Sequence, residues 1–537
     1  MIKKWLRDIF DKKEPTDTSE WRTDCSIFKF LSSSLGENDK LKDSAKDLPD
    51  EIKADDEVRF APGLMDAMFG ADDSAGSKKR VADLARHLTI IAKKGDTTSE
   101  QAFYKLVTES NGAIGIMDEF LQAVVSKSLP VNPYLFNFAK DLATKTDQRN
   151  AVKFGIAILG LCQNKSVLED IRILGLHDEF TVYSVIAIAG LSDDAENDLW
   201  ELAKKVDGWG KIQLVDRLAN PGLKEPVKDW LIFEGYKNNI MYEYLAYTCA
   251  VHGELHKKLG SEQIERPLFK AASDILEALI AEHSPANDIT SYPFASQVIR
   301  DFVQHAKTHA TEVSDFNVLH KIRNFLIELQ NDIGDQKENG WNQDNISNCI
   351  IDTIETLNGR DWKTVTREAL KSQDNDIYWN AKQAAENLEM DLWDTVWAKL
   401  NENPAKSTVW YDVTRYGKPE HSNKIINFAL KHLPLDDLAT GPKDSTGFGE
   451  HYNKHASLEY VTTYLENYPK MGDEILLAAL QSPVTRTRNM AIRVLDKWTR
   501  ENWSADIERG VRHLFNREPN KDTKENIERL LNGHELK

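Results

Sequence analysis

Three histidine pairs have the spacing that a metal site on a helix would use. In each pair the two residues stand four apart, at His252/His256, His305/His309 and His451/His455. On a helix, positions i and i+4 share one face and can present two imidazoles to a metal ion such as zinc. None of the pairs forms an HExxH pattern, and Gly253 is expected to end a helix. The alternative is that all six are surface histidines at the edges of repeats, and we expect no bound metal or cofactor.

A glycine-rich segment at residues 439–461, ATGPKDSTGFGEHYNKHASLEYV, includes the third pair. Glycines ahead of a helix can let backbone N–H groups surround an anion. The spacing of Gly441, Gly447 and Gly449 matches neither a Walker A loop nor a dinucleotide fingerprint. A plain loop between repeats is the alternative, and the sequence leaves open whether a small molecule binds here.

Aromatic residues become dense between positions 378 and 416. Trp393 and Trp397 stand four apart, so they share one face of a helix, and Trp410 follows. Core packing between helices would explain these residues. An exposed patch that anchors a partner is the alternative, because tryptophan and tyrosine are enriched at protein interfaces.

A basic stripe follows in the helix predicted around residues 484–500. Arg486, Arg493, Lys497 and Arg500 are separated by seven, four and three residues, which places them along one face. They could form salt bridges with acidic residues of adjacent repeats, such as Glu474 or Asp506. They could instead form a docking strip for an acidic segment of a partner.

The chain shows no catalytic motif, and its composition excludes several classes of protein. The four cysteines are widely spaced and fit no metal or redox pattern, so we expect reduced, mostly buried thiols at Cys25, Cys162, Cys249 and Cys349. A formal net charge of −18 argues against nucleic acid as a partner. Because we find no secretory signal and no long apolar segment, we expect a cytoplasmic protein.

Helical periodicity dominates from about residue 78 onward, and it repeats. The segment FGIAILGL at 154–161 recurs as SVIAIAGL at 184–191, an offset of 30 residues that aligns Gly160 with Gly190. Residues 372–388 align in the same way with 482–498, at an offset of 110. Helix pairs repeating at about 30–40 residues predict an all-α solenoid of antiparallel helix pairs.

The pattern divides the chain into five parts. Residues 14–77 read as an acidic, polar linker and loop, with one short helix around residues 26–31. Helical repeats occupy 78–261, longer helices fill a middle section at 262–359, and further repeats occupy 360–537. Ahead of the linker, residues 1–13 form a basic amphipathic helix.

Residues 1–13 carry a candidate anchor. Its apolar residues recur at helical spacing, at Ile2, Trp5, Leu6, Ile9 and Phe10. Such a helix can cap the first repeat, dock on a protein partner, or lie on an anionic membrane surface. The sequence leaves all three open.

Three segments carry a resemblance to known proteins. SPVTRTRNMAIRVLDKW resembles the first helix of a HEAT repeat, and NAVKFGIAILGL, MDLWDTVWAKL and SPVTRTRNMA resemble a group of bacterial HEAT-repeat proteins, some labelled limonene hydroxylase. The resemblance implies a HEAT-like α-solenoid. We expect a scaffold that binds another protein. The alternatives are an oxidoreductase, as that label implies, with a site near 439–461, and a membrane-peripheral adaptor anchored by residues 1–13.

Overall fold

The computed structural model describes residues 21–51, 63, 75–109, 114–447 and 449–536. Helix accounts for 72% of these described residues. Within the described residues there is no strand, and the only β-type pairings are two isolated bridges, Leu35 with Leu41 and Ser445 with Val484. No helix in this part of the chain combines the length and apolar character needed to cross a membrane. The all-α prediction is confirmed.

The chain divides into two compact units, and the second begins at Trp362. The first unit contains seventeen α-helices among its described residues: α1 (Ile27–Ser33), α2 (Ala75–Lys94), α3 (Thr97–Thr108), α4 (Ile114–Ser126), α5 (Pro133–Thr144), α6 (Arg149–Leu161), α7 (Leu168–Gly175), α8 (Asp178–Leu191), α9 (Ala195–Ala203), α10 (Gly208–Leu218), α11 (Glu225–Trp230), α12 (Glu243–His252), α13 (Leu255–Leu259), α14 (Arg266–Ile280), α15 (Ala295–His309), α16 (Val313–Asn331) and α17 (Gln343–Asn358). The described part of the second unit contains eleven: α18 (Trp362–Ala369), α19 (Asn375–Asn387), α20 (Trp393–Glu402), α21 (Ser407–Tyr416), α22 (Ser422–His432), α23 (Leu435–Leu438), α24 (Asn453–Tyr464), α25 (Asp473–Leu480), α26 (Thr485–Trp498), α27 (Ala505–Arg517) and α28 (Lys521–Leu531). The predicted middle section at 262–359 belongs to the first unit.

Helices in both units stack as a solenoid requires. In the first unit each of α6, α8, α10, α12, α14 and α16 packs on the next of this series. In the second, α21, α24, α26 and α28 form one layer, and α23, α25 and α27 pack in order beside it. Because consecutive helices are joined by short turns, neighbours within a pair run in opposite directions.

The glycines of the repeated segment permit a close helix crossing. A side chain at Gly160 would place its Cβ 3.1 Å from the Cα of Ala187 on α8. A Cβ at Gly155 would lie 2.5 Å from the backbone nitrogen of Ala143 on α5. The sequence offset of 30 residues therefore corresponds to successive helices of one layer, α6 and α8, that touch through small residues.

The prediction of a linker at residues 14–77 is wrong for its described part, 21–51. Trp21, Ile27, Leu31 and Leu48 are buried, and Trp21 stacks on Tyr104 of α3 at 5.4 Å. Backbone N–H groups of this segment donate to the turn that follows α5, as in the 2.9 Å bond from the N–H of Ile27 to the carbonyl of Thr146. The anchor residues Ile2, Trp5, Leu6, Ile9 and Phe10 lie outside the described residues.

The acidic end of this segment is held by a cation. Arg149 at the start of α6 forms ion pairs with Asp50 at 2.9 Å, with Glu51, and with Glu179 of α8 at 3.5 Å. Lys153, one helical turn later, contacts Glu179 at 2.7 Å. Burial alone would raise the pKa of Glu179, but Lys153 and Arg149 together lower it to about 2. The negative charge of Asp50 and Glu51, which the sequence assigned to a polar linker, is thus partly neutralised by Arg149 of the solenoid.

Candidate interaction surface

The first histidine pair is divided between two helices. His252 is the last residue of α12, which ends at Gly253 as predicted, whereas His256 lies in α13. The ring of His256 stacks on Phe294 at 3.7 Å, and burial lowers its pKa. The two imidazoles therefore do not share one helical face.

The other two pairs are engaged in packing and hydrogen bonds. His305 contacts the carbonyl of Leu259 at 2.9 Å, and His309 stacks on Phe269. His451 lies in a 3₁₀ turn ahead of α24, while His455 contacts the hydroxyl of Ser482 at 3.2 Å. Across the described ranges, no group of three or more His, Cys, Asp or Glu side chains is placed to hold a metal ion.

The described part of the glycine-rich segment is bonded to the turn between α25 and α26 and to the first residue of α26. The N–H of Gly441 donates to the carbonyl of Gln481 at 2.8 Å, and the N–H of Thr485 donates to the carbonyl of Ser445 at 3.0 Å. The carbonyl of Ser445 thereby satisfies an amide in the first turn of α26, a position where an anion would otherwise bind. These bonds favour the interpretation of a structural loop.

The three predicted tryptophans are core or half-buried residues of α20 and α21. Trp393 stacks on His421 at 3.6 Å and on Trp397 at 5.3 Å. Trp410 is fully buried, and its indole N–H donates to the carbonyl of Pro404 at 2.8 Å. Trp410 is therefore not an exposed contact residue, because the packing around α21 removes it from solvent.

The basic stripe contains two paired and two unpaired cations. Arg486 contacts Glu459 of α24 at 2.8 Å, and Arg500 contacts Glu508 of α27 at 2.6 Å. These partners differ from Glu474 and Asp506, which the sequence suggested. Arg493 and Lys497 are exposed and have no ion-pair partner among the residues that the structure describes. The two paired cations therefore fit the interpretation as salt bridges, and the two unpaired cations fit the interpretation as a docking strip.

Sequence reasoning missed Arg488, which lies on the opposite side of α26. Its guanidinium forms two hydrogen bonds with Glu518, at 2.7 and 2.6 Å, and both side chains are fully buried. It also donates to the carbonyls of Ser482 and Pro483. The segment TRTRNMAIR contains three arginines, and nothing in its local sequence distinguishes the buried Arg488 from the other two.

A second missed feature is a continuous surface across α19, α21, α24 and α26. We call it the tyrosine–arginine face and define it by six residues: Trp379, Tyr411, Arg415, Tyr460, Arg486 and Arg493. Trp379 is 54% exposed, the most exposed tryptophan in the described part of the chain. The rings of Tyr411 and Tyr460 meet edge to face at 5.3 Å and join α21 to α24.

Ion pairs join α19 to α21 and α24 to α26 along this face, and the ring contact of Tyr411 with Tyr460 joins α21 to α24. Lys382 of α19 reaches Asp412 of α21 at 2.5 Å, with both side chains largely buried. Arg415 donates to Glu386 at 2.9 Å and to the hydroxyl of Tyr411 at 3.0 Å. With the pair of Arg486 and Glu459, these contacts run from α19 to α26. Glu386, Asp412 and Glu459 are therefore already paired.

Comparison with known proteins adds little. No family model and no curated protein matches the chain. One solved structure, a circular tandem repeat protein with novel repeat topology and enhanced subunit contact surfaces, is 13% identical, with 85% of this chain and 96% of that chain covered. Its TM-score of 0.16 is too low to support any conclusion about helix arrangement or binding.

Proposed function

We propose that this chain is a protein-interaction scaffold that binds a partner through the tyrosine–arginine face of its second unit. The observation that carries the proposal is the continuity of that face across four helices. Trp, Tyr and Arg are the residues that most often dominate binding energy at protein interfaces. Ion pairs hold Arg415 and Arg486 in place before binding. The ring contact between Tyr411 and Tyr460 restrains the two tyrosines, and such preorganisation reduces the entropy lost on association.

The alternatives have less support in the described residues. The oxidoreductase implied by the limonene hydroxylase label would require a site near 439–461, where the polar groups of the loop are bonded to α26. The membrane adaptor depends on residues 1–13, which lie outside the described residues. The HEAT-like classification agrees with stacked helix pairs and with a binding role, and it belongs to the same proposal.

Site-specific photo-crosslinking tests the scaffold function. A benzophenone amino acid would replace Trp379 or Tyr460 on the face, and Lys431 on α22 as a control, in the full chain. Lys431 is exposed but does not belong to the four helices of the face. We expect Trp379 and Tyr460 to yield the same adduct in native lysate and Lys431 to yield none. Equal labelling at all three positions, or no adduct at the face, would contradict the proposal.

A further inference from the structure

We propose that the partner presents an extended acidic peptide segment, whose carboxylates bind Arg493 and Lys497 while an apolar residue packs on Trp379. This inference rests on the proposed function, because it names the partner of the same face. Three observations carry it: the residual charge of the face, the path across its helices, and the chemistry at its two ends.

The α26 end of the face carries two cations that are unpaired within the described residues, Arg493 and Lys497, with Asp496 as the only charged residue between them in sequence, in a chain whose net charge is −18. Glu386, Glu459 and Asp412 each form an ion pair with a cation of a neighbouring helix. Arg493 and Lys497 have no such partner in the described residues, and both are exposed. A carboxylate of the partner could therefore bind Arg493 and Lys497 without displacing an existing ion pair.

The spacing of these cations suits two acidic side chains of an extended peptide. Arg493 and Lys497 are one turn apart on α26, which corresponds to about 6 Å along the helix axis. Alternate residues of an extended chain point the same way and are about 6.6 Å apart. An acidic pair separated by one residue therefore matches both cations where the segment ends on α26 and turns along its axis.

The length of the face sets the length of the segment. Packed helices lie about 8–10 Å apart, so the three steps from α19 to α26 span roughly 24–30 Å. An extended chain covers about 3.3 Å per residue, which gives roughly eight or nine residues between the acidic end and Trp379. Trp379, Tyr411 and Tyr460 would supply apolar contact along this path.

A peptide fits the face better than a single-stranded nucleic acid. Nucleic acid binding requires cations that track a row of phosphates. At the α26 end of the face, Arg493 and Lys497 combine exposure with a charge that is unpaired within the described residues, and Glu386 and Glu459 lie between them and Trp379 in the order of contacts. A regularly charged backbone would be repelled by these carboxylates, whereas a peptide with its charge at one end would not.

Fluorescence anisotropy with synthetic probes tests the inference on the full chain. The acidic probe is a labelled peptide of about ten residues with two leucines at one end and three glutamates at the other, prepared in both chain directions. The control probe replaces the glutamates with glutamine, and a labelled oligothymidine serves as the nucleic acid. We expect the acidic probe to bind, and to bind more weakly as salt rises from about 0.03 M to about 0.3 M.

Matched variants locate the binding site. We expect Arg493→Glu to weaken binding of the acidic probe about tenfold or more, and Trp379→Ala to weaken it in the same direction, while Lys431→Glu leaves it unchanged. Arg493→Lys should retain most of the affinity. All three positions are exposed, and circular dichroism would confirm that the variants keep their helix content.

Three outcomes would overturn the inference. These are equal binding of the glutamine probe, tighter binding of oligothymidine, and equal effects of Arg493→Glu and Lys431→Glu. A protein that crosslinks at Tyr460 but is not displaced by the acidic probe would also refute the acidic segment while leaving the scaffold function standing. Absence of any crosslink at the face would remove the scaffold function itself.

Discussion

Replacing Glu518 with glutamine would remove the counter-charge of a guanidinium that has no access to water. Arg488 and Glu518 are both fully buried, and they join α26 to the residue that follows α27. Glutamine keeps the size of the side chain but leaves the charge of Arg488 without a partner. The substitution therefore tests charge rather than packing.

The expected loss is large compared with that of an exposed pair on the same helix. Breaking a buried ion pair by removing one partner typically costs about 3–5 kcal/mol, because the other charge stays desolvated. Glu459→Gln breaks the pair with Arg486, whose side chain is 53% exposed. Exposed pairs contribute about 0–1 kcal/mol, so this variant is the matched control.

A double variant separates the charge from the hydrogen bonds. Arg488→Met with Glu518→Leu removes both charges, and such replacements are often neutral. Here the carbonyls of Ser482 and Pro483 would lose their donor, and each buried group left unpaired costs about 1–3 kcal/mol. We expect the double variant to be no worse than Glu518→Gln.

Hydrogen–deuterium exchange on peptides covering residues 485–517 would measure the effect in the full chain. An exchange measurement is needed because two units need not unfold together. A loss of about 3–5 kcal/mol corresponds to exchange that is faster by roughly 10²–10⁴-fold in the amides that open with this pair. If Glu518→Gln and Glu459→Gln accelerated exchange equally, the assignment of Arg488 and Glu518 as a buried structural pair would be wrong.

Three further predictions concern the first unit. Glu179→Gln should lower the free energy of unfolding of this unit by about 3 kcal/mol near neutral pH, because the pKa of Glu179 in the folded state, about 2, lies below its ordinary value of 4.5. Urea unfolding would measure the difference in stability between the variant and the parent, and we expect that difference to vanish as the pH falls from 4.5 toward 2. Gly155→Ala should lower the free energy of unfolding by about 1–3 kcal/mol, because the new Cβ would lie too close to α5. Gly190→Ala should instead stabilise α8 by up to about 1 kcal/mol, because the nearest atom to its Cβ is 3.7 Å away. Thermal melts in which Gly155→Ala is the more stable variant would contradict the crossing geometry. Deleting residues 2–51 should lower the melting temperature by several degrees, because four large side chains leave the core, whereas deleting residues 2–13 should not lower it. Equal melting temperatures of the two deletion variants in calorimetry would contradict the observed packing.

The sequence predicted the fold class and many element boundaries because these depend on local order. The short helix predicted around residues 26–31 is α1 (Ile27–Ser33), and the helix predicted around residues 484–500 is α26 (Thr485–Trp498). The alignment of Gly160 with Gly190 indicated repeating helix pairs. Apolar residues at a period of 3.6 mark one face of a helix whatever packs against it.

Only the tertiary structure decided which side chains reach solvent and which charges meet. Trp379 and Trp410 both stand in aromatic helical segments, yet the first is 54% exposed and the second is fully buried. Arg486 and Arg488 are two residues apart, yet one pairs at the surface with Glu459 and the other in the core with Glu518. Their partners lie 27 and 30 residues away along the chain. Burial and ion pairing depend on the neighbouring helices that cover each face, and local periodicity does not specify those helices.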